Sequence, residues 1–272
     1  MPTIIILQIF ALKFIIMNVL GIIPARYGST RLEGKPLLDI CGKPMIQRVY
    51  ERAKLILKDV VVATDDDRIE KVVEDFGGSV VMTSSKHNTG TNRCLEAYEV
   101  YSTVSDVNLD VIINIQGDEP LLEPEQLRLL ISCFDDNTTE LATLVNPVSE
   151  NENLFEAGVY VVFDKFKNAL YFSRSVIPYV RDEDRSNWQK KHEYFKHVGM
   201  YAYTPKALRE FSSLQQTSLE LAESLEQNRW LENGKKIKIE ISQDHTIPVD
   251  TIADLENVRA IVRKSADKNI DL

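Results

Sequence analysis

From residue 19 onward, short runs of β-branched and other apolar residues alternate with segments whose apolar positions recur every three or four residues. Residues 19–23 are an unbroken apolar run, the pattern of a strand covered on both faces. Residues 59–63, 80–82, 111–115 and 141–145 continue that strand series. After Pro44, residues Ile46, Val49, Tyr50, Ala53 and Leu57 stand at helical spacing. Ile69, Val72, Val73 and Phe76 mark a second helix, closed by Gly77 and Gly78. Further helices are expected around residues 95–101 and 124–134. Such alternation predicts an α/β fold with a mostly parallel central sheet and helices on both faces.

Residues 151–203 break the rhythm, with strands expected near 159–163 and 197–203 and a polar stretch at 181–193. A long insertion in an α/β fold usually builds a substrate site or a subunit contact. Two more helices, a strand at 236–241 and a last helix at 252–262 follow. At about 100° per residue, Leu219, Ala222, Leu225 and Trp230 make one apolar arc that also contains Glu226. A carboxylate there should meet hydroxyls, a cation or a ligand, with a structural salt bridge to Arg229 as the plainer alternative.

No repeat or linker divides the chain, so 17–272 is expected to form a single domain. Residues 1–16 are far more apolar than the rest, but they are short for a bilayer and Lys13 interrupts them. They also lack the basic start and small-residue cleavage site of a secretory signal. They are expected to be an upstream extension before a natural start at Met17, without stable membrane insertion.

Composition narrows the function. With 41 acidic against 32 basic residues among 272, the net charge of −9 disfavours coating a nucleic acid. A hydrophobic content of 44% excludes disorder as the main state. Cys41, Cys94 and Cys133 lack metal-ligand spacing and read as reduced thiols of a cytoplasmic protein.

Two segments carry candidate chemistry. Just past the first strand, Gly28 and Gly34 lie among Arg26, Arg31 and Lys35. Glycines that open backbone N–H groups to an anion, with three cations beside them, suit a polyphosphate at the carboxyl end of a strand. No G-x-G-x-x-G occurs, which disfavours a nicotinamide cofactor. The likeness to a P-loop fails as well, because the spacing is one residue too long and Pro36 replaces the Ser or Thr that would hold magnesium. The second segment is Gln116-Gly117-Asp118-Glu119-Pro120, at the end of an apolar strand. Asp118 there is well placed for Mg²⁺, whereas Glu119 is expected to diverge from it on an extended backbone. Capping a helix is the simpler role for Asp118, and equally for Asp250 or Thr251 before the last helix. Spacing alone does not bring Asp118 and Asp250 together.

The basic loop and the Gln116 segment are followed in order by Leu170-Tyr171-Phe172-Ser173-Arg174, His197-Val198-Gly199-Met200-Tyr201, Leu225-Glu226-Gln227 and Val249-Asp250-Thr251. This ordered set resembles the 3-deoxy-manno-octulosonate cytidylyltransferases, the CMP-Kdo synthetases of lipopolysaccharide assembly, over nearly all of residues 18–264. The resemblance implies a Rossmann-like nucleotide-diphospho-sugar transferase fold, a homodimer, and Mg²⁺-dependent transfer of CMP from CTP to Kdo. Arg26, Lys35 and Asp118 would be catalytic, and Arg31, Thr91 and Arg93 would join them around the nucleotide. Asp118 and Asp250 would bind the metal. Gln116, Arg174, His197, Tyr201, Glu226 and Gln227 would line the site of the ulosonic acid.

Three departures stand out. Glu33 replaces a usual Pro, Asn92 replaces a usual Glu, and Tyr160 lies where a Lys is common, which leaves 8-amino-Kdo or another ulosonic acid open as the sugar. The rivals are a sugar-1-phosphate nucleotidyltransferase, a CMP-sialic acid synthetase and a non-catalytic nucleotide-sugar sensor. Arg174, His197 and Glu226 suit a carboxylate and hydroxyls better than a phosphate.

Overall fold

A computed structural model describes residues 17–28, 32–156 and 158–266. The 1–16 extension and Arg31 therefore lie outside the described residues. The first strand, β1 (Val19–Ala25), leads through a loop and a 3₁₀ turn (Lys35–Leu37) to the short hairpin of β2 (Asp39–Ile40) and β3 (Lys43–Pro44). Then come α1 (Met45–Lys54), β4 (Asp59–Thr64), α2 (Asp67–Asp75), β5 (Val80–Met82), α3 (Gly90–Val104), β6 (Val111–Asn114) and α4 (Pro124–Ser132). The second half holds β7 (Leu141–Pro147), β8 (Tyr160–Phe163), β9 (Ala169–Ser173), α5 (Trp188–Lys191), β10 (Phe195–Tyr203) and α6 (Pro205–Ser213). It closes with α7 (Ser218–Glu223), α8 (Gln227–Glu232), β11 (Lys238–Ile241) and α9 (Ile252–Ala266).

The main sheet runs β11-β7-β10-β6-β1-β4-β5. Pairings β6-β1, β1-β4, β4-β5 and β7-β11 are parallel, whereas β10 runs antiparallel between β6 and β7. Strand order reverses around β1, since β4 lies on one side of it and β6 on the other. A crevice at the carboxyl ends of such strands is where open α/β sheets bind ligands.

Alternation along β1 splits the core into two layers. Ile23 faces Ile46, Val49 and Leu127 of α1 and α4, while Leu20 and Ile22 face Cys94, Tyr98, Phe211 and Trp230 of α3, α6 and α8. Each fully buried side chain of this size contributes roughly 1.5–3 kcal/mol. Gly21 is needed for close approach, because a Cβ there would lie 2.7 Å from Leu57 Cδ1.

The structure corrects three expectations. First, residues 197–203 do not stay within an inserted unit: β10 enters the middle of the main sheet, and only β8 and β9 branch off it. Second, β9 went unpredicted, although the pattern Ala169, Tyr171, Ser173 against Leu170, Phe172 alternates. Third, the single helix carrying the Leu219 to Trp230 arc is broken. Ser224 adopts a left-handed conformation (φ 51, ψ 47) between α7 and α8, and Leu219 and Ala222 are exposed. The break follows from tertiary bonds: the Glu223 carboxylate is drawn to Tyr171, Ser173 and Arg174 of the β9 segment. One step further on, Asn228 pairs its amide with the backbone of Phe172.

Candidate active site

Beyond β1 the chain turns back on itself. Gly34, at a φ of 65° that favours glycine, donates its N–H to the Tyr27 carbonyl at 3.0 Å and starts the turn that carries Lys35. The Arg68 guanidinium lies 3.2 Å over the Tyr27 ring and pins the loop from its outer side. Beyond β6, Gly117 packs under β1: a Cβ there would stand 3.0 Å from the Pro24 carbonyl oxygen. That close approach delivers Asp118 to the mouth of the crevice.

Lys35, Asp118 and Asp250 meet there. The Lys35 ammonium donates to Asp118 Oδ2 at 2.7 Å and to Asp250 Oδ1 at 3.1 Å. The simpler capping role belongs to Thr251, whose hydroxyl oxygen accepts from the Asp254 N–H at 3.2 Å, while Asp254 accepts from the Asp250 and Thr251 N–H groups. A backbone bond from Val249 N–H to the Asp118 carbonyl, 2.9 Å long, ties the two carboxylate segments together.

These groups line a cleft of about 300 Å³, together with Arg26, His87, Arg93 and Gln116. Arg26 is exposed at its rim. Arg93 is buried and donates to Thr83 Oγ1 (2.6 Å) and Asp65 (3.0 Å). Thr89 caps α3 by accepting from the Asn92 N–H, so that helix begins at Gly90 in the cleft wall. A helix N-terminus favours phosphate by its dipole and unpaired N–H groups. Sequence reasoning missed His87, which pairs with Glu96 across the loop before α3. The resemblance reached Thr91 and Arg93 nearby without marking His87 itself.

Two carboxylates on one cation, with phosphate-favouring walls, suit a hard divalent ion that uses few protein ligands. Among the described residues, no cluster of three or more His, Cys, Asp or Glu could cage a metal. Mg²⁺ needs no such cage, since it commonly takes one or two carboxylates plus substrate phosphates and water. Glu119 does diverge: it is buried beside Thr246 in a separate cleft with Asn146 and Lys196. Burial, aided by the Asp118 charge, pushes its carboxyl up to about 7.

A second group of side chains lies on the α3 and α8 face of the sheet. The Gln116 amide donates to the Gly199 carbonyl at 2.6 Å and so joins the cleft to the kinked part of β10. The rings of His197 and Tyr201 are 5.2 Å apart, and Phe172 packs edge-on against His197. The Thr143 hydroxyl donates to the Met200 carbonyl at 2.7 Å, so its oxygen accepts from His197 Nε2–H at 3.0 Å. This assigns the tautomer and leaves Nδ1 as an acceptor. Burial holds the imidazole down to about 3, so it stays neutral. Tyr201 is held well above the usual phenol range, first by burial and then by the Glu226 charge. Glu226 accepts from the Thr91 hydroxyl (2.8 Å) and pairs with Arg229 (2.8 Å), so both the hydroxyl and the structural salt bridge expected from sequence are present. Gln227 is buried, with no acceptor for its Nε2.

Arg174 is placed otherwise. It is exposed, and its guanidinium donates to the carbonyls of Glu223 (2.7 Å) and Ser224 (3.3 Å), closing the end of α7 rather than lining the cleft. Tyr160 is buried with its hydroxyl on the Leu154 carbonyl, and the Lys196 ammonium lies 5.8 Å over its ring.

Comparisons with known proteins agree with this architecture. A family model described as cytidylyltransferase matches residues 20–237. A 3-deoxy-manno-octulosonate cytidylyltransferase of Parabacteroides distasonis is 51% identical over 252 residues, covering 90% of this chain and 98% of the relative. An 8-amino-3,8-dideoxy-manno-octulosonate cytidylyltransferase of Shewanella piezotolerans is 48% identical over 244 residues, covering 88% and 96%. Among solved structures, a CMP:2-keto-3-deoxy-manno-octonic acid synthetase complexed with CTP superposes with a TM-score of 0.82 at 44% identity, covering 91% of this chain and 99% of that one. The chain belongs to the 3-deoxy-manno-octulosonate cytidylyltransferase family.

Proposed function

We propose that this enzyme transfers CMP from CTP to the anomeric hydroxyl of Kdo, releasing pyrophosphate and supplying CMP-Kdo for lipopolysaccharide assembly. The observation that carries the reading is the meeting of Lys35, Asp118 and Asp250 in one cationic cleft at the strand-order reversal. The triphosphate fits along Arg26, Lys35 and Arg93, with the start of α3 behind it. On this reading the sugar binds beside Tyr201, His197 and Glu226, next to Gln116.

In the reaction the anomeric oxygen bonds to the α-phosphorus and the bridge to the β-phosphate breaks. Pyrophosphate leaves with the bonding pair, and the hydroxyl proton passes to solvent. Positioning and charge neutralisation supply most of the rate in such transfers. Lys35 and Arg26 offset charge on the departing pyrophosphate. His197 is too weak a base to take the proton, so its Nδ1 orients a sugar hydroxyl. Asp118 and Asp250 would hold Mg²⁺, which when bound supplies charge at the α-phosphate and lowers the pKa of the attacking hydroxyl.

We further propose a homodimer in the cytoplasm. Leu170 on β9 and Leu221 on α7 are both 61% exposed, an apolar pair that suits contact with a second copy. Free Cys41, Cys94 and Cys133 suit a reducing compartment, and no described helix is long and apolar enough to cross a membrane. Sedimentation tests the dimer.

Pyrophosphate release tests the activity, with CTP and Mg²⁺ offered Kdo, 8-amino-Kdo, sialic acid or a hexose 1-phosphate. Release with Kdo supports the reading. Release with 8-amino-Kdo alone would assign the sugar differently, and CTP binding without release from any of them would make the protein a sensor.

A further inference from the structure

Asn114, the last residue of β6, is 4% exposed, and its Oδ1 has no donor. An unsatisfied buried amide oxygen costs stability, and a same-shaped apolar residue would avoid that cost. Its position is specific. Asn114 lies directly across from Tyr201 in the antiparallel β6-β10 pair, so the two side chains share the sheet face that carries the sugar-side group. Its Nδ2 lies 3.8 Å from where a Cβ on Gly90 would stand, and Gly90 is in the nucleotide-cleft wall at the start of α3. Two residues further along the chain, Gln116 joins the same two regions. Asn114 thus stands at the junction of the nucleotide cleft and the Tyr201 face, with an unfilled acceptor.

We propose that Asn114 is a substrate-binding residue whose amide engages a hydroxyl of the bound substrates at this junction, either on the ribose of CTP or on the sugar acid. Both sources offer the same chemistry, a hydroxyl that donates to Oδ1. The inference rests on the nucleotidyl-transfer reading.

The test compares wild type with Asn114→Leu and Asn114→Ala in pyrophosphate release, measuring KM for CTP, for dCTP and for Kdo, together with thermal unfolding. Wild-type turnover comes first, because its absence would overturn the functional reading before Asn114 is judged. With an active wild type, Asn114→Leu is expected to unfold at the wild-type temperature or above, yet to raise KM for one substrate at least ~10-fold. A rise for CTP that erases the difference between CTP and dCTP identifies the ribose 2′-hydroxyl, and a rise for Kdo identifies the sugar. If the Leu variant fails to fold, the Ala variant, which removes the same acceptor without added bulk, carries the same KM comparison. KM values within twofold of wild type for all three substrates would overturn the proposal, as would lower stability with KM unchanged.

Discussion

Asp118 and Asp250, one after β6 and the other before α9, share a single ammonium: Lys35 Nζ lies 2.7 Å from the first and 3.1 Å from the second. Nothing in their spacing foretold this. The parallel β1-β6 pair sets the Lys35 loop beside Asp118, and the Val249 to Asp118 backbone bond brings Asp250 up to both. The ammonium holds the carboxylates at the distance one cation imposes.

Asp118→Ala should lower kcat by at least ~100-fold while the protein still unfolds cooperatively near the wild-type temperature. Steady-state pyrophosphate release and calorimetry check both halves. Near-normal turnover would remove Asp118 from the metal assignment. Chelation of Mg²⁺ should silence the wild type in the same assay, and added Mg²⁺ should restore it.

Lys35→Ala should act mainly on kcat, by ~100-fold, with a smaller change in KM for CTP. In the proposed reaction the ammonium offsets charge that develops on the leaving pyrophosphate, so its loss should be felt most in the transition state. Equal losses in substrate affinity and none in kcat would assign Lys35 to ground-state binding alone.

His197 makes stability depend on pH. Its ordinary pKa of 6.5 falls to about 3 in the folded state because of burial. Between those values the unfolded chain binds a proton that the folded chain refuses, so stability drops as pH falls through this window. His197→Gln removes the linkage. Between about pH 7.5 and about pH 5, the variant should lose less unfolding free energy than wild type, by about 2 kcal/mol. Identical pH dependence in urea titrations would show that the imidazole is not held neutral.

Ser224 holds the left-handed turn that separates α7 from α8 (φ 51, ψ 47). Ser224→Val should destabilise the protein by ~1–2 kcal/mol, because a branched side chain crowds that conformation. Ser224→Gly should be tolerated. The Val variant should also raise KM for the sugar acid more than for CTP, since the turn sets Glu226 against Thr91 and Tyr201. A Val variant as stable as wild type would show that the turn relaxes freely.

Much of the site was legible in local pattern. Apolar runs of β-branched residues are committed to strands before any packing is known, and Gly34 and Gly77 mark turns by their own conformational chemistry. Where local preference and tertiary bonding compete, local pattern misleads. The Leu219 to Trp230 arc obeys helical spacing, yet Glu223 binds three groups of the β9 segment and the helix stops. For the same reason Arg174, read as a carboxylate ligand, is engaged by the carbonyls that this break leaves open. Asn114 shows the converse: an amide at the end of an apolar strand carries no local signal, and only its lack of a donor in the folded chain sets it apart.

The sequence by itself determined the strand and helix alternation, the cationic glycine loop, the acidic strand end and the family, because these depend on residue type and order within a few turns of chain. Only the tertiary structure decided that Lys35 bridges Asp118 and Asp250, and that β10 runs inside the main sheet. Those outcomes depend on contacts between distant segments, whose free energy comes from burying both layers of the sheet at once and is written in no single stretch of residues.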